Sequence, residues 1–137
     1  MLLWTAINKE DIMREILFRG KFGNEWKYGF LSIEPRGLVI KEQYKNGSSN
    51  VWHIESDTIG QYTGMTDKNG TKIFEGDIID FLYRSDGDDY GIVQYDVDET
   101  EFGFVYNLIY DGLGRHYCSR DIEVIGNIYD SPELLKE

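Results

Sequence analysis

One stretch decides what this chain can become: residues 59–79, IGQYTGMTDKNGTKIFEGDII. It holds four glycines, Gly60, Gly64, Gly70 and Gly76, set among Ile59, Tyr62, Ile73, Phe74, Ile78 and Ile79. Glycine at this density prevents a stable helical face. Each glycine also marks a place where the backbone can turn without steric cost. Asn69-Gly70 is the sharpest of these signals, because both residues tolerate the left-handed region and the pair lies between apolar runs, the pattern of a tight hairpin. Gly60, Gly64, Asn69, Gly70 and Gly76 are therefore the expected structural turn residues.

The flanking sequence alternates in the same strand-and-turn manner. Residues 14–19 place Ile16 and Phe18 on one strand face, and 21–25 read as a polar connection. Residues 25–32 alternate Trp26, Tyr28 and Phe30 against Lys27, Gly29 and Leu31, the period of two of a strand. Further strands are expected at 38–40, 51–54, 77–83, 90–95, 102–110, 116–118 and 122–125. Ser131-Pro132 reads as the N-cap and first position of a short helical turn. The expected fold class is mainly β, with short antiparallel strands and an SH3-like small barrel over 77–125 in the C-terminal half. Residues 1–12 read as a loosely ordered extension. Residues 13–137 read as one β-rich domain, with two lobes joined at 59–79 as the open alternative.

Charge narrows the partners. Net charge is −11 and unevenly spread: residues 1–72 hold ten Lys/Arg and nine Asp/Glu, net +1, while 73–137 hold four and sixteen, net −12. The acidic half repels nucleic-acid phosphates. Residues 73–111 carry eleven acids and one base, Arg84. An interface between copies is expected to set Arg14, Arg19 or Lys21 against Asp86, Asp88 and Asp89, or against Asp96, Asp98, Glu99 and Glu101, with a charge component that salt weakens. The single cysteine, Cys118, excludes an intramolecular disulfide and fits a reducing compartment. The start MLLWTAINKEDIM has neither a basic lead nor a long apolar run, so a cytoplasmic protein without a membrane span is expected.

The segments MREILFRGK, IGQYTGMTDKNGTKIFEGDII and EVIGNIYDSPELL together resemble the YopX family of phage and prophage proteins. The resemblance runs from Met13 to about Leu135 and leaves residues 1–12 outside it. It implies a bacterial host and a β-rich fold. It implies no reaction, and it carries no catalytic residues to this chain.

The residues alone assemble no catalytic, cofactor or metal constellation. An EF-hand loop with Gly70 at its glycine position would need carboxylates at Met65 and Gly76. His53, His116 and Cys118 fall short of the four ligands of structural zinc. Gly112-Leu113-Gly114 lacks the third glycine of a phosphate loop. Glu75 and Asp77, flanking Gly76, are the one carboxylate pair that a straight strand would aim together at a cation or shared proton. The plainer reading has both bonding backbone amides. Trp4, Trp26, Trp52 and most tyrosines read as core.

The expected function is a non-enzymatic accessory protein that binds a host or phage protein and associates with itself. The alternatives are a nucleic-acid-associated small barrel, using Arg14, Arg19, Lys21, Lys27, Arg36, Lys41 and Lys45, and a carboxylate-dependent hydrolase built on Glu75 and Asp77.

Overall fold

The structure, a computed structural model, describes residues 14–135. The extension expected at 1–12 lies outside the described residues. The first six strands are β1 (Phe18–Phe22), β2 (Glu25–Glu34), β3 (Gly37–Gln43), β4 (Ser49–His53), β5 (Glu55–Thr66) and β6 (Lys72–Phe74), ordered β4-β3-β2-β1-β5-β6 in one sheet. The other five are β7 (Asp77–Phe81), β8 (Gly91–Asp96), β9 (Glu101–Tyr106), β10 (Ile109–Gly112) and β11 (Ile122–Asn127), ordered β10-β9-β8-β7-β11. Every ladder is antiparallel. The glycine-rich stretch carries the chain from the first sheet into the second.

The first sheet has to curl. Strands β4 and β5 stand four positions apart in the sheet, ~19 Å if it were flat. Ile54 alone joins them, and one residue spans only about 3.5 Å. The curl brings Ile54 over β1, where a Cβ on Gly20 would meet its Cδ1 at 2.5 Å; glycine is what admits the close approach. No ladder joins β4 to β5 among the described residues, so the curled sheet stays unclosed.

In the second sheet, the half where the sequence suggests a small barrel, no ladder joins β10 to β11 among the described residues. After β10 the chain passes through a loop and a 3-10 turn at Ser119–Asp121, then returns beside β7 on the opposite edge. Its apolar face packs the main core, with Phe81 against Phe104 and Tyr106 at 4.8 and 4.7 Å between ring centroids. Ile73 of β6 and Tyr117 of the loop complete the cluster. Each such side chain contributes roughly 1.5–3 kcal/mol by leaving water.

Several elements differ from expectation for local reasons. β1 begins at Phe18 and runs through Phe22, because the turn falls at Gly23 (φ +62). The run 102–110 splits into β9 and β10 around Asn107 and Leu108, whose φ values are +48 and +63. His116–Cys118 is loop rather than strand, held by Cys118 N–H donating to Asp121 Oδ2 at 2.9 Å. The C-terminal helical turn is a 3-10 turn, Pro132–Leu134; Ser131 occupies its cap position without a side-chain cap bond. No helix among the described residues is long and apolar enough to cross a membrane.

Candidate functional site

The hairpin at the centre of the glycine-rich stretch is a three-residue loop, Lys68-Asn69-Gly70. Asp67 N–H donates to Thr71 O at 2.8 Å, and Gly70 N–H to Asp67 O at 3.0 Å. Only Gly70 has positive φ, +81; Asn69 does not. The two-residue turn suggested by Asn-Gly is therefore replaced by a type-I-like turn plus a left-handed glycine. Asp67 makes the difference. Its buried carboxylate accepts the N–H groups of Asn69 and Thr71 at 2.9 Å each, and through its other oxygen that of Val124 on β11, also at 2.9 Å. Loop and second sheet are thus locked by one side chain. Gly64 (φ +90) lies within the register shift of the β5–β6 ladder. Gly60 serves differently: a Cβ there would stand 2.6 Å from Glu75 O.

Gly76, at φ +88, breaks the strand between Glu75 and Asp77, and the two carboxylates take different partners. Glu75 Oε1 accepts Gln61 N–H at 2.8 Å. Asp77, 2% exposed, accepts Phe74 N–H at 2.7 Å through Oδ2 and receives Arg19 Nη2 on Oδ1 at 2.8 Å. Arg19 is itself 5% exposed. Its guanidinium lies 4.5 Å from the ring centre of Trp26 and 4.8 Å from that of Phe74, where stacking adds to the ion pair. Burial pushes the Asp77 carboxyl above its ordinary 3.8, against the opposing pull of Arg19 and the Phe74 amide. Among the described residues no group of three or more His, Cys, Asp and Glu is placed to hold a metal ion.

Above this buried pair runs a groove between the sheets. One part, of about 490 Å³, has Arg19 and Asp77 in its lining together with Phe74 of β6 and Val124 of β11. A second part, of about 440 Å³, lies over β2 and β3 beside Phe30 and Lys41. Leu17 and Tyr28 line both. Tyr28 packs on Phe74 at 5.5 Å yet is 44% exposed, and Phe30 is 55% exposed. The alternation Trp26-Tyr28-Phe30 is real, but two of its three rings face solvent. Alternation alone reports which residues share a face, not whether anything covers that face. The lysines on the rim are neutralised in place: Lys72 by Glu15 at 3.1 Å and Lys41 by Glu34 at 3.2 Å.

Several of the residues expected at an interface also make contacts within the chain. Arg19 is the buried partner of Asp77. Lys21 pairs with Asp130, which also accepts Trp26 Nε1–H at 2.7 Å and Asn127 Nδ2–H at 3.1 Å. These donors hold the Asp130 carboxyl down at about 2. Arg14 is exposed. Asp88 and Asp89 brace the β9–β10 turn, accepting Asn107 Nδ2–H at 2.9 Å and Asn107 N–H at 3.1 Å. Asp96 accepts Glu99 N–H at 2.8 Å, and Glu101 pairs with Arg115 at 2.7 Å. Asp86, Asp98 and Glu99 are exposed. His53 stands exposed on β4, while His116 Nδ1 lies 2.7 Å from Asp111 Oδ1.

The crystal structure of protein EF1440 from Enterococcus faecalis is similar in fold, with TM-score 0.51 and 23% identity over 90% of this chain and 100% of that one. A search of curated proteins returned no match. The family model described as YopX protein matches residues 19–136, a span that contains both sheets, the Asp67 loop and the Arg19–Asp77 pair, and the chain belongs to the YopX family.

Proposed function

We propose that this chain is a non-enzymatic accessory protein of the phage or prophage type, working in the bacterial cytoplasm by taking an apolar segment of a partner protein into the groove between its sheets. The observation that carries the reading is the solvent-exposed pair Tyr28 and Phe30 on a wall whose rim lysines are already neutralised by Glu15 and Glu34. Aromatic rings on a rigid strand supply contact area at small entropic cost, which is why they are enriched at protein interfaces. A nucleic-acid groove would call for unneutralised cations beside the rings; Arg19, Lys21, Lys41 and Lys72 each have a carboxylate partner. A hydrolase reading meets carboxylates already engaged by backbone amides, Glu75 by Gln61 N–H and Asp77 by Phe74 N–H. In this reading the run β7–β11 is the SH3-like small-barrel element, and the curled run β1–β5 supports the aromatic wall.

Selection of random displayed peptides on the immobilised chain tests the proposal. Recovered peptides should share apolar residues and lose binding to Phe30→Glu, whose melting point stays near that of the parent. Peptides that bind parent and variant alike would overturn it, as would tight, salt-sensitive binding of single-stranded oligonucleotides in place of peptides.

A further inference from the structure

The described residues begin at the edge of the groove. Leu17 lines both of its parts and is fastened there by its carbonyl, which accepts Tyr62 N–H at 2.8 Å. Phe18 is paired with Gly29, so Leu17 and Phe30 stand one step further along, side by side. Glu15 holds Lys72 on the rim at 3.1 Å. Thirteen residues precede Arg14, and two follow Leu135. Met13 is four residues before Leu17, a stretch that spans at most about 14 Å. Connectivity alone therefore brings the thirteen-residue segment within reach of Tyr28 and Phe30. The two residues at the other end of the chain follow Leu135, which lines a different cavity.

The segment also has the composition that this groove takes. Its first eight residues read MLLWTAIN: six are apolar, among them Leu2, Leu3, Trp4 and Ile7, and none has a charged side chain. The groove offers the exposed rings of Tyr28 and Phe30, and its charges are already paired. Arg19 is held by Asp77, Lys41 by Glu34 and Lys72 by Glu15, while Glu42 accepts Tyr44 O–H at 3.0 Å. A charged segment entering such a site would lose water and find no partner, so the site selects a neutral apolar one. Lys9, Glu10 and Asp11 follow the apolar run as a polar link. Asn8 is nine residues before Leu17, roughly 30 Å of chain when extended. The rings stand on β2, the neighbour of β1, only about 5 Å to the side, so the run is long enough to double back over them. A segment tethered this closely competes at an effective concentration of roughly millimolar order.

We propose that residues 1–8 occupy the Tyr28–Phe30 groove of their own chain, so that a partner's apolar segment enters only by displacing them. This rests on the groove being a protein-binding site and adds its regulation. Photo-crosslinking tests the occupant directly. In a full chain carrying photoreactive benzoylphenylalanine in place of Trp4, irradiated at low concentration, the crosslink should form within one molecule. Mass spectrometry should map it to Leu17, Tyr28 or Phe30. Crosslinks that join two molecules, that map to the cavity beside Met65 and Leu113, or that fail to form would each overturn the proposal. Competition supplies the second test. Peptides recovered in the selection described above should bind the double variant Leu3→Glu/Trp4→Glu about tenfold more tightly than the parent, the change expected when a groove nine-tenths filled becomes open. If those peptides bind parent and double variant alike yet lose binding to Phe30→Glu, the groove reading stands and only its regulation is wrong. Peptides indifferent to Phe30→Glu would overturn both.

Discussion

Two hairpin turns in this molecule are held by aspartates, and they hold them in opposite surroundings. At the seam, Asp67 is 3% exposed and ties the 68–70 loop to β11, with the buried Arg19–Asp77 pair nearby. At the tip of the β9–β10 hairpin, Asp88 and Asp89 brace Asn107 in the open. The seam loop has glycine where its backbone goes left-handed; the tip has leucine. Hydrogen bonds between buried charges and amides are costly to break, because the orphaned group has no water to turn to. The same bonds at a surface are replaced by solvent. The seam acids therefore act on stability, and the tip acids on the shape the surface presents.

The largest effect should come from removing a seam acid. Asp77→Ala leaves the Arg19 guanidinium buried without its counter-charge and should destabilise the fold by about 3–5 kcal/mol. Asp89→Ala at the tip should cost under about 1 kcal/mol. Urea denaturation of both variants compares them directly, and equal losses would erase the distinction. Next in size is Gly70→Val, which strains the left-handed position in the seam loop by about 1–3 kcal/mol and should lower the thermal midpoint accordingly. Leu108→Gly should move the other way, raising stability by about 1 kcal/mol as the strain at the tip is relieved; a lowered midpoint would mean that Leu108 has a supporting role in the fold.

The smallest effect is one of pH. Asp130 has a folded value of about 2, below its ordinary 3.8. Its contribution is thus complete above 3.8 and fades as pH falls toward about 2. Asp77 has the opposite sign. Burial holds its folded value above 3.8, so its share is complete below 3.8 and fades as pH rises through the folded value. The indole N–H signal of Trp26, which donates to Asp130, should shift on the acid side in a titration followed by NMR. In Asp130→Asn that shift should be absent.

Much of the fold was legible because its signals are local. Glycines with positive φ at 23, 37, 64, 70 and 76 mark turns or irregularities, and the alternation of β2 is visible in Trp26, Tyr28 and Phe30. What escaped the sequence is non-local or concealed. Arg19 and Asp77 stand 58 residues apart, and nothing in either neighbourhood announces the other; Arg19 read as a surface cation. The bond of Asp67 to Val124 spans 57 residues. The split between β9 and β10 was hidden because leucine continues an apolar run that glycine would have ended. In the second sheet the return of β11 beside β7 is likewise non-local and is not encoded in any turn. Of the groove, the rings were visible and their exposure was not.

The single-residue junction at Ile54 sets an order of events in folding. β8, β9 and β10 pair with their neighbours in sequence, so that meander closes only short loops and can form early. β1 must wait for β5, since its partner for Phe18 is Gln61, and the curl cannot set until Ile54 has seated over Gly20. On a chain emerging from the ribosome, the β1–β2 hairpin is therefore complete while one edge of β1 is still bare, with Phe18, Arg19 and Lys21 lacking their partners on β5. That interval is when a nascent chain of this kind is open to mispairing with another, and shortening it calls for faster closure at Ile54 rather than a stronger core.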